Sequence, residues 1–325
     1  MQGRKVLVTG AGGFIGSHLA ERLVEDGAQV RAMVHYNALG SRGWLEQSPL
    51  AADMEVVAGD ICDRDSVVRA VAGTEVVFHL AALIAIPYSY QAPASYLRAN
   101  VEGTMNVLQA AREYAVGRVV HTSTSEVYGT AQRVPIDESH PLQGQSPYSA
   151  SKIGADKMAE AFFLSFNVPV VTVRPFNTFG PRQSTRAVIP TIITQCLSGE
   201  VVRLGSLTPT RDLNFVSNTV DGFVRAALAP AALGRTINIG SGSEISIGAL
   251  ARLIARLVGK DFLVETEERR LRPGPSEVER LLADAALAKS LLGWEPAVDL
   301  EEGLRRTITW LQENLSRYRT GGYAL

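Results

Sequence analysis

The stretch Thr9-Gly10-Ala11-Gly12-Gly13-Phe14-Ile15-Gly16 lies near the start of the chain, after a short apolar run and before an amphipathic segment. Gly10 permits a tight turn, Gly13 lets the backbone approach a pyrophosphate, and Gly16 lets a helix pack closely on a strand. The N-terminus of such a helix also favours negative phosphate. An ordinary glycine-rich turn is the alternative. The placement between strand and helix predicts instead a dinucleotide-binding loop formed by Gly10, Gly13, Phe14, Ile15 and Gly16.

Apolar runs of strand length alternate with helix-length segments beyond this loop, an order typical of parallel sheets with helices on both faces. The predicted strands span 5–9, 29–34, 55–57, 75–80, 118–122, 169–173 and 236–240, and the predicted helices span 15–25, 66–71, 96–114, 187–198, 247–258 and 300–315. The pattern predicts an α/β fold: a doubly wound parallel (Rossmann) sheet with a smaller, mostly helical C-terminal substrate domain. We place the dinucleotide-binding domain at 1–173, with a returning segment at about 213–240, and the substrate-binding domain at 174–212 and 241–325.

The composition of the 325 residues is that of an ordinary globular protein, with 46% apolar and 20% charged residues. A net charge of −1 gives no electrostatic reason to expect nucleic acid or an anionic membrane as partner. Cys62 and Cys196 lack a metal-ligand spacing, so neither a metal site nor a disulfide framework is expected. The chain starts on a strand pattern and has no apolar run of roughly 18–20 residues, which predicts a cytoplasmic protein without signal peptide or membrane span.

The residues at the end of the second predicted strand bear on the choice between NAD and NADP. His35 lies there without the acidic residue that often binds the ribose hydroxyls of NAD. Arg42 follows in the next loop, where its guanidinium could meet the 2′-phosphate of NADP, although a solvated surface arginine is the alternative. We therefore expect His35 and Arg42 near the cofactor, and both NAD and NADP stay open.

Two further strand ends predict contacts with the cofactor. Asp60 and Ile61 follow the third predicted strand and are expected beside the adenine, with a helix-capping aspartate as the alternative. Leu80, Ala81 and Ala82 follow the fourth strand, where they offer small residues beside the cofactor. Packing alone would also explain these three residues.

The sequence YSASK at 148–152 places Tyr148 and Lys152 four residues apart, and therefore on one face of a predicted helix. A nearby ammonium group and a positively charged nicotinamide both favour the phenolate, so Tyr148 can remove a proton from a hydroxyl near neutral pH. The spacing alone is common by chance, and an exposed helical pair would then be the better interpretation. The segment upstream decides between the two.

That segment, HTSTSEVYG at 121–129, follows a predicted buried strand and delivers hydroxyls and a carboxylate to the same edge of the sheet. Thr124 can hydrogen-bond a hydroxyl that is being oxidised, and Glu126 can remove a further proton. A carboxylate that only organises its loop is the alternative interpretation of Glu126.

Together these motifs resemble the extended short-chain dehydrogenases/reductases that act on nucleotide sugars, over essentially the whole chain. The resemblance rests on the glycine loop and on 123–129, 148–152, 174–182 (RPFNTFGPR), 210–216 (TRDLNFV) and 292–296 (LGWEP). It implies a tightly bound, recycled NAD or NADP and a nucleotide-diphosphate sugar as substrate. It also implies a homodimer formed through the predicted helix 96–114 and the helix that bears Tyr148.

Within this family, Thr-Ser-Glu at 124–126 is similar to the GDP-mannose 4,6-dehydratases. The segments 85–90 (AIPYSY) and 183–190 (QSTRAVIP) resemble dehydratases that prepare GDP- or UDP-N-acetylglucosamine for legionaminic-type sugars. The resemblance implies a 4,6-dehydratase, a lyase in which oxidation at C4 acidifies the C5 proton and Glu126 removes that proton. Water then leaves C6 with a proton from Ser125, Thr124 or a bound water, and the hydride returns to C6.

Other activities share part of these motifs. UDP-glucuronate decarboxylases resemble the chain in TSEVY and FNTFGPR, and Glu126 does not exclude them. They usually have a different residue after the arginine where this chain has Arg211-Asp212. A nucleotide-sugar 4-epimerase uses the same tyrosine, lysine and cofactor but needs no base at C5, so Glu126 discriminates against it. A non-enzymatic dinucleotide sensor would be expected to lose Tyr148 or Lys152.

Polar residues near the carboxyl edge are expected to bind the substrate: Asn177, Arg182, Arg186, Arg211 and Arg272. A planar guanidinium suits a diphosphate, although each arginine alone is also typical of a solvated surface. Asn177 and Arg211 fall within segments that resemble the family's diphosphate-contacting motifs. Asn100 is expected at the cofactor site, holding the helix of Tyr148 by a buried polar contact, with a helix-surface asparagine as the alternative.

Overall fold

The structure is a computed structural model that describes residues 1–318, and its centre is a sheet of seven parallel strands. The strands are β1 (Lys5–Thr9), β2 (Gln29–His35), β3 (Met54–Gly59), β4 (Val76–His79), β5 (Arg118–Thr122), β6 (Val170–Pro175), β7 (Asn177–Phe179), β8 (Val201–Leu204), β9 (Thr210–Phe215), β10 (Thr236–Ile239), β11 (Glu244–Ser246), β12 (Leu263–Thr266) and β13 (Arg280–Leu281). The central sheet has the order β10-β6-β5-β4-β1-β2-β3. The predicted doubly wound parallel sheet is therefore confirmed.

Helices cover both faces of this sheet. The α-helices are α1 (Phe14–Glu25), α2 (Arg64–Val71), α3 (Ile86–Gln91), α4 (Pro93–Tyr96), α5 (Gly103–Glu113), α6 (Pro147–Phe166), α7 (Val188–Ser198), α8 (Val216–Leu228), α9 (Ile247–Val258), α10 (Ala286–Leu292) and α11 (Leu300–Asn314). Successive strand residues face opposite sides, so Val6 and Val8 share a core cluster with Leu19 of α1, whereas Leu7 belongs to the cluster of Val107 in α5. Because both faces of the central sheet are buried, its strands have continuous apolar runs. None of the helices in the described part has both the length and the apolar character needed to cross a bilayer.

The second region contains a small sheet in which β9 pairs with β7, β11 and β13, and a separate pair, β8 with β12. The chain returns to the central sheet through α8 and β10, and β10 pairs in parallel with β6. This return begins at Val216 rather than at residue 213, because β9 stays in the small sheet as far as Phe215. Strand β6 likewise continues to Pro175, beyond residue 173. The domain boundaries remain a prediction.

A π-helical segment over Leu97–Glu102 joins α4 to α5, where the sequence predicts one continuous helix over 96–114. Apolar periodicity does not predict this wider turn, because the helix continues in the same direction on both sides of it. Asn100 lies in this segment, and its Nδ2 donates to Ser151 Oγ of α6 at 2.9 Å and to Leu83 O at 3.0 Å. The bond to Ser151 matches the expected contact with the helix of Tyr148. Contact of Asn100 with a cofactor stays a prediction.

Candidate active site

Tyr148 and Lys152 lie one helical turn apart near the start of α6. Ser146 caps this helix: its side chain accepts from Ser149 N at 3.1 Å, and Ser149 Oγ accepts from Ser146 N at 3.0 Å. Pro147 occupies the first turn, where its missing N–H costs no hydrogen bond. The helix therefore begins directly before Tyr148. Tyr148 is 7% exposed and Lys152 is 4% exposed, so the two share the buried face that their spacing predicts.

Burial is the largest influence on the protonation of this pair. Lys152 Nζ donates to Thr122 O at the end of β5, at 2.6 Å. Burial lowers the pKa of Lys152 to about 8, with Asp156 acting in the opposite direction. Burial raises the pKa of Tyr148, and a hydrogen bond with Thr124 lowers it. The net direction for the pKa of Tyr148 is upward, because removal from water disfavours the phenolate.

A short 3₁₀ turn after β5 carries Glu126. Thr124 precedes this turn, and its Oγ1 accepts a hydrogen bond from Glu126 N at 3.2 Å. Ser125 is 2% exposed and Glu126 is 7% exposed. Within residues 1–318, the single ion pair of Glu126 is a long one, with 4.0 Å between its Oε2 and Arg272 Nη1. The carboxylate is close enough to Tyr148 to raise the pKa of that phenol.

Two predicted substrate arginines meet beside Glu126 at a carboxylate that was not predicted, Glu277. Arg211 Nη2 lies 3.2 Å from Glu277 Oε1, and Arg272 Nη1 lies 3.5 Å from the same oxygen. Arg211 is further fixed by a bond from its Nη1 to Thr210 O at 2.9 Å. Burial lowers the pKa of Arg211, whereas Glu126 acts to raise it. The structure therefore brings Glu126, Arg211 and Arg272 together. The sequence gives little indication of Glu277 beyond an acidic residue five positions after Arg272.

Asp156 lies one turn beyond Lys152 on α6 and forms a buried hydrogen-bond network that was not predicted. Its carboxylate accepts bonds from Ser123 Oγ (2.7 Å), His121 Nε2 (3.0 Å) and Arg174 Nε and Nη2 (3.1 and 2.9 Å). Burial acts to raise the pKa of Asp156, but the bond from His121 and the charge of Arg174 prevail and lower it to about 2. The four-residue spacing from Lys152 is the signal that could have pointed to this residue.

The same network continues away from Lys152. Arg174 Nη1 donates to Tyr128 OH at 2.9 Å, and Tyr128 OH donates to Asn238 Oδ1 at 2.8 Å. Asn238 belongs to β10, so the network joins the end of β5 to the returning strand. We call these residues the Asp156 network: His121, Ser123, Tyr128, Asp156, Arg174 and Asn238.

The glycine loop has the close approaches that its sequence predicts. Gly10 has a φ of +72°, and a Cβ there would lie 2.9 Å from Ala81 N. A Cβ at Gly16 would lie 2.2 Å from Gly10 O, so no larger residue fits at that position. Gly13 precedes α1, and no side chain in the described part of the chain caps this helix end. Unpaired backbone N–H groups at a helix N-terminus suit a phosphate, so this loop fits the pyrophosphate of a dinucleotide.

Predicted cofactor residues surround this loop. Phe14 and Ile15 form the first turn of α1 and are partly buried. Thr9 Oγ1 accepts hydrogen bonds from Leu80 N and Ala81 N, both at 3.1 Å, which joins the end of β4 to the end of β1. Ala82 follows directly and is half-buried. Contact of these residues with a cofactor remains a prediction.

The residues after β2 and β3 are more exposed. His35 and Arg42 have exposed side chains, but the backbone at Arg42 packs on the glycine loop: a Cβ at Gly12 would lie 2.7 Å from Arg42 O. Asp60 Oδ1 accepts a bond from the backbone N–H two residues later at 2.8 Å, but Asp60 does not cap α2, whose N-cap is Asp63. Ile61 is buried. None of these contacts distinguishes NAD from NADP.

Arg182 is paired with a carboxylate within the chain, and its contact with a diphosphate stays a prediction. Its Nη1 and Nη2 each lie 2.9 Å from a carboxylate oxygen of Glu21, and Nη1 also donates to Ser17 Oγ at 3.1 Å. The guanidinium therefore joins the loop after β7 to α1. By contrast, Asn177 Oδ1 is buried without a hydrogen-bond partner in the described part of the chain. Arg186 is exposed, and its Nε donates to the hydroxyl of a serine two residues earlier at 3.3 Å.

The doubly wound sheet, the glycine loop after β1 and the Tyr-x-x-x-Lys helix beside β5 together define an extended short-chain dehydrogenase/reductase. Residues 7–307 match the family model described as GDP-mannose 4,6 dehydratase, and the chain belongs to this family. UDP-glucose 4-epimerase of Mycolicibacterium smegmatis is 35% identical over 314 residues, which cover 95% of this chain and 98% of that protein.

Two further relatives show the range of activities in the family. UDP-glucuronic acid decarboxylase 1 of Xenopus tropicalis is 32% identical over 332 residues, which cover 98% of this chain and 75% of that protein. The solved structure of DesIV, a dTDP-glucose 4,6-dehydratase of Streptomyces venezuelae with NAD and TYD bound, is 30% identical, with a TM-score of 0.89 and coverage of 97% and 98%. The chain is thus a member of an enzyme family of nucleotide-sugar dehydratases, epimerases and decarboxylases.

Proposed function

We propose that the protein is a nucleotide-sugar 4,6-dehydratase, a lyase that makes a 4-keto-6-deoxy sugar. One observation carries this proposal: Glu126 is buried beside Tyr148, and no side chain within residues 1–318 donates a hydrogen bond to its carboxylate. A buried carboxylate without a donor is available to take a proton. Dehydration needs such a base at C5, whereas epimerisation at C4 does not.

Each of the five candidate catalytic residues has a role in this reaction. Tyr148 removes the proton of the C4 hydroxyl, Thr124 hydrogen-bonds that hydroxyl, and the ammonium of Lys152 stabilises the phenolate. A nicotinamide cofactor, when bound, accepts the hydride from C4 and returns it to C6. Glu126 removes the C5 proton, which the C4 ketone has acidified, and the C6 hydroxyl leaves as water with a proton from Ser125, Thr124 or a bound water. Return of a proton to C5 completes a product with no net oxidation.

The glycine loop supports a tightly bound nicotinamide cofactor that is recycled rather than exchanged. Its backbone fits a pyrophosphate, and the related structure of DesIV holds NAD. His35 and Arg42 would lie near the ribose end, where no acidic residue excludes NADP, so NAD and NADP both stay open. Denaturing the purified protein and identifying the released dinucleotide by mass spectrometry would decide between them.

The diphosphate of the substrate would bind at the arginines beside Glu126. Arg211 and Arg272 present guanidinium groups, and Asn177 offers a buried oxygen without a partner. The exposed Arg186 lies in the segment 183–190, whose likeness to legionaminic-type dehydratases supports a GDP- or UDP-N-acetylglucosamine substrate.

A 4-epimerase is the second candidate, because the epimerase of Mycolicibacterium smegmatis is 35% identical over nearly the whole chain. The Tyr148–Lys152 pair would serve both reactions. A decarboxylase is the third, since the Xenopus tropicalis enzyme is 32% identical. In a 4-epimerase the buried Glu126 would have no C5 proton to remove, whereas Glu126 does not exclude a decarboxylase.

We also propose that the protein is a homodimer formed through α6 and the segment from α4 to α5. Leu97, Leu164 and Phe166 are exposed apolar side chains on these elements, and burying them against a second copy would be favourable. Light scattering during gel filtration would measure the mass in solution, and a monomer would contradict the proposal.

The first test of function is mass spectrometry of the purified enzyme with UDP-, GDP- and dTDP-hexoses, N-acetylhexosamines and UDP-glucuronate, without added cofactor, in heavy water. A dehydratase converts one hexose or N-acetylhexosamine nucleotide to a product that has lost water and gained one deuterium at C5. Loss of carbon dioxide from the glucuronate would instead establish a decarboxylase. Unchanged mass with inverted C4, and no deuterium, would establish an epimerase.

A further inference from the structure

The loop that carries Arg272 and Glu277 is held in place by a separate part of the chain. Gln145 Nε2 donates to Pro275 O at 3.0 Å and to Glu277 O at 3.3 Å. Ser276 Oγ donates in return to Gln145 O at 2.6 Å. The backbone of Glu277 is therefore fixed independently of its side chain, so a change of that side chain need not displace the loop.

Within this loop, Arg272 lies between two carboxylates. Its Nη1 is 3.5 Å from Glu277 Oε1 and 4.0 Å from Glu126 Oε2, and this buried nitrogen makes no hydrogen bond within residues 1–318. Both separations exceed the roughly 2.7–2.9 Å of a charge-assisted bond. A shift of about 1 Å toward either carboxylate would complete a salt bridge with that partner.

We infer that Glu277 is a positioning residue that keeps Arg272 from closing a salt bridge with Glu126. Arg211 is held in place by the bond from its Nη1 to Thr210 O at 2.9 Å and by Glu277 Oε1, which lies 3.2 Å from its Nη2. The side chain of Arg272 is 25% exposed, against 7% for Arg211, so Arg272 has more room to move. The inference rests on the proposed role of Glu126 as base.

A closed salt bridge between Arg272 and Glu126 would change how readily Glu126 accepts a proton. Among residues 1–318, the charged and titratable groups that face Glu126 are Tyr148 of α6, Arg211 of β9 and Arg272 of the loop. A guanidinium in direct contact with a carboxylate favours its charged form and makes it a weaker base. Without the negative charge of Glu277, Arg272 would close on Glu126 and weaken the base.

The experiment compares Glu277→Gln with Glu279→Gln, an exposed carboxylate in the same segment, as the matched control. Glutamate carboxyl groups are isotopically labelled and titrated by NMR in the purified enzyme, and the signal absent from Glu126→Gln identifies Glu126. We expect Glu277→Gln to lower the pH midpoint of the Glu126 signal and Glu279→Gln to leave it unchanged. The limiting rate of deuterium entry at C5 should fall about threefold to tenfold in Glu277→Gln, with its acid limb moved to lower pH.

Two more variants keep the inference testable. Adding Arg272→Gln to Glu277→Gln should return the Glu126 midpoint to the wild-type value or above it, because no mobile guanidinium remains. Glu277→Asp, in which the carboxylate is retracted by one methylene, should give a smaller shift in the same direction if Glu277→Gln does not fold. An unchanged Glu126 midpoint in Glu277→Gln, or a lowered midpoint that persists in the double variant, would overturn the inference. Absence of C5 exchange in the wild type would instead refute the proposed function, while the titration still tests Glu277.

Discussion

Two buried carboxylates flank the Tyr148–Lys152 pair, and they differ in how completely their hydrogen bonds are satisfied. Asp156 accepts four bonds from Ser123, His121 and Arg174, whereas Glu126 has only a 4.0 Å approach from Arg272 within the described chain. Their exposures are nearly the same, 5% and 7%. Burial alone therefore does not separate a carboxylate that maintains structure from one that can react.

The difference follows from the cost of burying charge. A buried carboxylate with donors on both oxygens is stabilised, but its proton affinity is low and its donors depend on it. A buried carboxylate without donors has no side-chain hydrogen bond that its replacement would break, and it is available as a base. We therefore expect changes at Asp156 to act on stability and changes at Glu126 to act on rate, and the following predictions test that separation.

The largest effect is expected for Glu126→Gln. Loss of the C5 base should reduce the rate of water loss about 10²- to 10⁴-fold, the usual contribution of a general base. The free energy of unfolding should change by less than about 1 kcal/mol, because no hydrogen bond to the carboxylate is removed. Product formation by mass spectrometry and urea unfolding measure the two quantities. Full dehydratase activity in this variant would eliminate Glu126 as the base.

Asp156→Ala should give the converse result. Removing one partner of a buried ion pair leaves Arg174 uncompensated and should lower the free energy of unfolding by about 3–5 kcal/mol. Urea unfolding of this variant beside Glu126→Gln measures the contrast directly. A loss of stability no larger than that of Glu126→Gln would show that the two carboxylates do not differ in this way.

Acid should weaken the Asp156 network in a defined pH window. The pKa of Asp156 is lowered to about 2 in the folded protein, below the roughly 3.9 of an unfolded chain. Its stabilisation is therefore fully present above about pH 4 and is lost as the pH falls from about 4 to 2, by on the order of 2–3 kcal/mol. Urea unfolding at several pH values across this window tests the sign. The same series on Asp156→Asn should show a smaller pH dependence, and an equal one would assign the effect to other groups.

The sequence predicts the surroundings of Tyr148, Lys152 and Glu126 better than it predicts the Asp156 network. The glycine loop and the Tyr148–Lys152 pair are local patterns, in which spacing alone determines turn geometry and helix face, and the structure agrees with both. Glu126 could likewise be proposed from its place after β5. Asp156 shares the helix face of Lys152, so the same periodicity could have predicted that it is buried, but not which donors surround it.

The remaining features depend on segments that are far apart in the chain. Glu277 approaches Arg211 only because β9 and the loop before β13 meet in the small sheet, and no local pattern encodes that meeting. Apolar periodicity also does not predict the π-helical turn at Asn100, because that turn adds only one residue to the helix. The pairing of Arg182 with Glu21 is likewise not predictable from a local motif, because Glu21 lies far away in the sequence on the first helix.

The smallest effect, and the most demanding test of the separation, is expected for Tyr128→Phe. Tyr128 lies two residues after Glu126, yet its hydroxyl belongs to the Asp156 network, between Arg174 Nη1 and Asn238 Oδ1. Loss of the hydroxyl leaves a buried donor and a buried acceptor without that partner, at a cost of about 1–2 kcal/mol in the free energy of unfolding. The rate of water loss should stay within about twofold of wild type, because the ring still packs near Phe176 and His140 and leaves the backbone of the 3₁₀ turn in place. A rate loss comparable to that of Glu126→Gln, with unchanged stability, would mean that position along the turn matters more than hydrogen-bond satisfaction.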